Sequence, residues 1–256
     1  MNILEAIIFG IVEGITEFLP VSSTGHLILT AELLGTSPSE FLKSFEIVIQ
    51  LGAMLSIVVL YGKSLLKSKE VWKKIFVAFI PTAIIGALFY HVVKSVFMGH
   101  LQLVLWALFS GGAFLILFDR WHKEGSDSID EVAKIPYRTA VIIGLFQSLA
   151  IVPGISRSAA TIIGGLIFGI KRKTIVEFSF LLALPTMLAA TGFDLAMNAN
   201  TFYPEQLVFL GVGFVVSFLV AIFSVKFLLH YIQRHNFVLF GIYRIAVAVV
   251  WWLLGK

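Results

Sequence analysis

The chain has 256 residues, 59% of them hydrophobic and only 13% charged, with a formal net charge of +4 and a mean hydropathy of +0.97. That composition is far too apolar for a soluble domain and places the chain in the lipid bilayer as an all-α integral membrane protein. The lack of cysteine excludes disulfides, thiolate catalysis and Cys-ligated metal. Basic and aromatic residues are not interleaved on any polar surface, so the positive charge reads as loop bias, and no nucleic acid is expected as a partner.

In chain order, a first hydrophobic region spans about 2–35. It lacks a basic n-region and carries Glu5 within its apolar run, so it is expected to stay in the mature protein. Pro20 with Val21-Ser22-Ser23 interrupts it, and proline both removes a backbone donor and turns the preceding residue away from helix. Three apolar runs follow at about 44–61, 75–96 and 101–119, each near the roughly 20 residues a bilayer crossing needs. After a charged linker from Asp119 to Lys134, a second interrupted region covers about 139–170, broken at Pro153-Gly154-Ile155-Ser156. Three more runs complete the chain at about 174–197, 206–230 and 237–254. Non-helical backbone at membrane depth must be buried in protein or line a wet cavity, so each interrupted region reads as a re-entrant helix hairpin. Six transmembrane helices plus two re-entrant hairpins are expected.

Lys and Arg set the direction. Lys63, Lys67, Lys69, Lys73, Lys74, Arg120, Lys123, Lys134, Arg138, Lys171, Arg172, Lys173, Lys226 and Arg234 fall on one side, leaving Lys43, Lys94 and Lys256 for the other. The positive-inside rule then puts both termini outward. Because each half has three crossings, the second enters from the opposite face, which predicts an inverted-topology repeat within one membrane domain, about 1–121 and about 135–256. Pro20 to Ser23 matches Pro153 to Ser156 at one offset, and Gly10 and Glu13 match Gly144 and Gln147 at an offset one residue larger. The spacings Gly10/Gly14 and Gly165/Gly169 predict close helix contacts, and Trp251 and Trp252 an interfacial belt.

Ionisable side chains at hydrocarbon depth are costly and mark function by default. Glu13 and Glu17 are i and i+4, so their carboxylates project from one helix face and repel. A shared proton, Arg157 or a divalent cation must neutralise them, unless one caps a helix end or both face an aqueous vestibule. Ser22, Ser23 and Thr24 stand where a new helix starts after Pro20, and Ser156 and Ser158 do the same after Pro153. A helix N-terminus attracts phosphate oxygens; Arg157 adds a planar fork of donors, with Thr161 one turn along on the same face. His26, three residues after Ser23, is within reach as an acid or base, although a lone membrane histidine is more often a packing residue. His91, His100, His122, His230 and His235 lie near predicted ends or loops and are assigned to interfaces. Arg244, inside the last run, is either a counter-ion for Glu177 or Asp194 or a second phosphate ligand.

The run Glu13-x-x-x-Glu17 followed by Pro20-Val-Ser-Ser-Thr-Gly-His26, and the run Pro153-Gly-Ile-Ser156-Arg157-Ser-Ala-Ala-Thr161, resemble the two signature segments of the undecaprenyl-diphosphate phosphatase family associated with bacitracin resistance. The similarity covers the whole chain. It implies removal of the terminal phosphate of undecaprenyl diphosphate, a divalent cation (Mg or Ca), and a multi-pass protein of the bacterial plasma membrane whose active site opens outward. Carried over by position, it implies catalytic roles for Glu13, Glu17, Ser23, His26 and Arg157, with Glu13 and Glu17 also holding the metal. Substrate contacts fall to Ser22, Thr24, Ser156, Ser158 and Thr161. The expected partners are undecaprenyl diphosphate and the bilayer, with a homodimer left open. A polyprenyl-phosphate transporter or flippase on the same repeat is the main rival, since broken helices meeting at the midplane also serve alternating access. A histidine-nucleophile lipid phosphatase needs a later His paired with an acidic residue, and none follows Arg157 at suitable spacing.

Overall fold

The computed structural model describes residues 1–65, 68–92, 100–125, 128–198 and 203–255. Lys67, Lys94, Lys256 and the end of the crossing predicted at 75–96 lie outside them, as do the side chains of Lys63 and His91. The order is a helix pair followed by three helices, then the same again. The first half comprises α1 (Ile3–Thr16), α2 (Ser23–Leu34), α3 (Glu40–Leu65), α4 (Lys69–Val92) and α5 (Leu101–Trp121). The second comprises α6 (Tyr137–Ser148), α7 (Arg157–Ile167), α8 (Arg172–Asn198), α9 (Pro204–Tyr231) and α10 (Val238–Leu253).

Among the described residues, α3, α4, α5, α8 and α9 are long and apolar enough to cross a membrane. The sixth predicted run is shorter than expected. Helix α10 has 16 residues, about 24 Å at 1.5 Å per residue. It starts where the Phe237 amide donates to Asp119 Oδ2 at 2.5 Å and gives way before Gly255, which has a positive φ of 67°.

The packing exchanges the halves. Helix α1 lies along α9 as α6 lies along α4, α3 meets α9 as α8 meets α4, and α3 with α8 and α5 with α10 form the contacts between like elements. Each hairpin therefore leans on the other half. Glycine makes this closeness possible: a Cβ on Gly14 would lie 2.8 Å from the Ser217 carbonyl oxygen, and one on Gly144 would overlap the Ala78 carbonyl. Gly10 and Gly165 are contact glycines as their spacing predicts, against Gly213 and Ile175. Gly169 is not, since it meets nothing and adopts φ +71° in the turn that ends α7. Trp251 also departs from the interfacial reading: it faces α5 and is buried with Leu29, Val104, Leu105 and Leu108.

Basic residues gather at one end. There Lys74 donates to the carbonyls of Ala133 and Ile135 at 2.6 and 2.5 Å, Tyr137 donates to Glu70 at 2.5 Å, and Arg172 pairs with Asp119 at 2.6 Å. Backbone bonds between Ile129, Gly169 and Lys171 tie the linker to the start of α8. The ends of α4, α5, α6 and α8 that carry predicted inward charges thus share one face, with the start of α10 beside them.

Substituting Gly144 by alanine is expected to cost about 1–3 kcal/mol, because backbone cannot yield as a flexible side chain would. Gly211, with open space around it, should tolerate alanine. Unfolding of the two variants in detergent measures the difference.

Candidate active site

Two turns meet inside the helices. In the first, α1 ends at Thr16 and α2 begins at Ser23. Ser22 is the only non-glycine residue with a left-handed φ among the described residues, at 74°, a conformation that costs of order 1–3 kcal/mol and is typical of functional turns. Its hydroxyl caps α2 by accepting from the Gly25 amide at 3.4 Å. In the second turn, Gly154 takes φ +93°, and Ser156 caps α7 by accepting from the Ala159 amide at 3.2 Å. Both helix starts, Ser22 to Thr24 and Ser156 to Arg157, line one cavity, and the first amides of a helix have no acceptor within it.

Glu17 and Arg157 join the turns. Arg157 Nη2 donates to Glu17 Oε1 at 3.0 Å, and Nη1 donates to the Ser179 carbonyl at 3.0 Å. The Ser23 hydroxyl donates to the other Glu17 oxygen. Glu17 is 5% exposed and Arg157 8%, so this ion pair is held out of water. Arg157 Nε has no hydrogen-bond partner among the described residues. A cavity of about 320 Å³ opens beside the pair, lined by Glu17, Ser22, Ser23, Thr24, Ser156 and Arg157.

Other predicted residues lie further in. The Ser158 hydroxyl donates to the Phe18 carbonyl at 2.9 Å, and Thr161 sits 2.6 Å from the Ser179 hydroxyl; neither lines the cavity. These two fasten α7 to the first turn and to α8. His26 is held between the Ser22 carbonyl, 2.8 Å from Nδ1, and the Tyr243 hydroxyl, 2.9 Å from Nε2. Both ring nitrogens are thereby occupied away from the Ser23 hydroxyl, whose acceptor is Glu17.

Glu13 is fully buried, and among the described residues its carboxylate oxygens meet no amide, hydroxyl or basic donor, the group within hydrogen-bond reach being the Glu17 carboxyl. The charged groups acting on it are Glu17, Glu46 and Arg157. Orphaned hard oxygens beside a second carboxylate fit a divalent cation, although no group of three or more His, Cys, Asp or Glu arranged for a metal occurs among the described residues. Substrate oxygens would have to complete such a shell.

The cavity wall also contains groups missed in the sequence. Glu46, Gln50 and Lys43 come from the start of α3, Thr82 from α4 and Thr186 from α8. Glu46 stands at the beginning of an apolar run, where a carboxylate looks like a solvated end. Gln147 was visible only as the counterpart of Glu13. Its amide nitrogen donates to Thr82 and Thr186 hydroxyls at 2.9 and 3.0 Å. Those hydroxyls donate onward to Gly144 and Leu182 carbonyls, so the amide cannot flip.

The helical fold with its long apolar helices is that of an integral membrane protein, and a buried carboxylate–guanidinium pair lies between two capped helix starts beside a polar cavity. The chain belongs to the family described as bacitracin resistance protein BacA, whose model matches residues 6–250. It is 52% identical over 250 residues to the undecaprenyl-diphosphatase of Wolinella succinogenes, covering 98% of this chain and 97% of that one. Identity to the undecaprenyl-diphosphatase of Persephonella marina is 48% over 253 residues, 99% of both chains. For that of Aquifex aeolicus it is 47% over 247 residues, 96% of both.

Removing the guanidinium leaves a buried carboxylate uncompensated, so Arg157→Ala should lose about 3–5 kcal/mol of stability. Glu17→Gln with Arg157→Ala should lose clearly less than the two single losses added, by 1 kcal/mol or more. A double-mutant cycle on detergent-solubilised protein reads this coupling, and strict additivity would contradict the pair.

Proposed function

We infer that the chain is an undecaprenyl-diphosphate phosphatase, a hydrolase that cleaves the phosphoric anhydride of undecaprenyl diphosphate to give undecaprenyl phosphate and inorganic phosphate. The carrying observation is the constellation at the turns: a serine hydroxyl on a carboxylate that is itself paired with an arginine, beside a cavity flanked by two helix starts. Near-complete coverage by relatives named for this activity favours hydrolysis over the transporter reading. Released lipid phosphate re-enters use as the carrier for cell-wall synthesis, consistent with the family's link to bacitracin resistance.

In the proposed mechanism the diphosphate head occupies the cavity while the prenyl tail stays in lipid. Ser23 Oγ attacks the terminal phosphorus as Glu17 takes its proton; the new Ser–O–P bond forms and the bond to the bridging oxygen breaks. The leaving group is a phosphate monoester, which departs as an anion without needing a proton, so a histidine acid is not required at that step. Once Glu17 has released that proton to solvent and is again a carboxylate, water attacks the phosphoserine as Glu17 takes the water's proton; the Ser–O–P bond breaks, phosphate leaves, and Glu17 returns the proton to Ser23 Oγ. Arg157, the leading amides of α2 and α7, and the capping hydroxyls of Ser22 and Ser156 meet the charge on the phosphoryl oxygens. Glu13, with Glu17 or Glu46, is the group suited to hold a divalent cation, which when bound supplies charge neutralisation to the diphosphate.

The finer architecture belongs to the same proposal. The exchanged packing of α1/α9 with α6/α4 supports an inverted-topology repeat with α10 as a sixth, thin crossing and the two helix pairs as re-entrant hairpins. The cavity lies beyond the midpoints of α4 and α8, counted from their basic ends, and at the start of α3. That is the half of the membrane opposite the basic face, so the site opens outward from the bacterial inner membrane.

Purified protein should release phosphate from undecaprenyl diphosphate, lose that release on chelation and regain it with Mg or Ca. Ser23→Ala and Glu17→Ala should each cut turnover at least about 100-fold. Full turnover by Ser23→Ala would exclude the covalent route, and absence of phosphate release by the native chain would return the transporter reading.

A further inference from the structure

Arg244 is the largest fully buried side chain among the described residues, at 1% exposure. Its hydrogen bonds are made to backbone carbonyls: Nε to Leu108 at 3.3 Å, Nη1 to Pro20 at 3.3 Å, and Nη2 to Ala107 and Gly154 at 3.0 Å each. Neither of the carboxylates expected for it, Glu177 or Asp194, is among these partners. A buried guanidinium held by neutral dipoles is an expensive arrangement, and where its donors go explains what it is for. Pro20 belongs to the first turn and Gly154 to the second, while Ala107 and Leu108 belong to α5. One planar fork, with nitrogens at fixed separation, therefore sets the distance between the two turns and anchors both to the same helix.

Room for it is built in. Helices α5 and α10 cross at Gly112 and Gly241, where a Cβ on either would come within 2.7 Å of the other's carbonyl oxygen. A Cβ on Gly111 would overlap the guanidinium itself. Gly154 is equally tight, since its Cβ would lie 2.8 Å from the Val104 carbonyl oxygen. Glu17 and Ser23 each lie three positions from Pro20, one on either side, and Arg157 lies three positions beyond Gly154. A shift between the turns is therefore passed directly to the Glu17–Arg157 pair.

We propose that Arg244 is a positioning residue that fastens the two hairpin turns to each other, so that Glu17 and Ser23 from one half register against Arg157 and Ser156 from the other. It acts through those residues and does not touch the substrate. The assignment of a catalytic consequence rests on the phosphatase reading above; the structural link does not.

The absence of cysteine allows spin labels at two outward-facing positions before the turns, Ile15→Cys and Leu149→Cys, with their separation read by dipolar EPR. Arg244→Lys keeps a charge but lacks the fork, so the distance distribution should broaden while the protein stays folded. In the phosphate-release assay the same variant should lose about 100-fold in kcat with KM within about threefold. Gly111→Ala, which displaces the guanidinium without removing it, should reproduce both effects and serves if Arg244→Lys does not fold. An unchanged label distance in a folded variant overturns the proposal. So does an unchanged distance with a KM raised tenfold or more, which would make Arg244 a phosphate ligand instead. The EPR measurement needs no turnover, so failure of the phosphatase reading and failure of the link are separately visible.

Discussion

A carboxylate and a guanidinium from opposite halves of the chain meet at 3.0 Å, both more than nine-tenths buried. Removing two charges from water costs several kcal/mol per ion even after relaxation, and the attraction between them repays this only when geometry is held. Much of the surrounding architecture serves that condition. Ser158 fastens α7 to the Phe18 carbonyl, Ser179 supplies the second acceptor for Arg157, and glycine contacts bring α1 and α6 against helices of the opposite half. If the turns were free to part, each charge would be stranded in an apolar interior.

The two helix pairs follow the same element order but carry different side chains. At matched positions the first carries Glu13 and the second Gln147. Among the described residues the oxygens of both side chains lack a hydrogen-bond donor, but the Gln147 amide nitrogen donates to Thr82 and Thr186 and fixes that side chain, whereas Glu13 has no such tie. Two acidic turns facing one anion would repel it. Both turns bring a capping hydroxyl and a helix start, but the carboxylate of the buried pair comes from the first and the guanidinium from the second, an arrangement suited to taking a proton at one edge and meeting negative charge at the other.

Much of this was legible in sequence because it depends on local rules. Proline and glycine in long apolar runs mark the turns, hydroxyls after them mark helix caps, and the i, i+4 glutamates share a face. Arg157 stood out because a charge in an oily hairpin needs a reason. What escaped depends on tertiary placement. Glu46 reads as the solvated start of a helix until α3 packs beside the turns. Arg244 suggested a carboxylate partner or a phosphate, because pairwise charge rules say nothing of carbonyls presented by two distant turns. His26 has the spacing of a base toward Ser23, yet Tyr243, 217 residues away, holds its Nε2. Gly169 has the spacing of a packing glycine and serves as a turn instead.

The central claim is that both turns close on one buried anion. The direct measurement is phosphorus–nitrogen dipolar recoupling by solid-state NMR, with arginine guanidinium nitrogens labelled and a non-hydrolysable prenyl diphosphonate bound. Dephasing of one arginine signal by phosphorus, abolished by Arg157→Lys, is the predicted result. Binding of the diphosphonate with no arginine dephased, or with dephasing unchanged by that substitution, would contradict it.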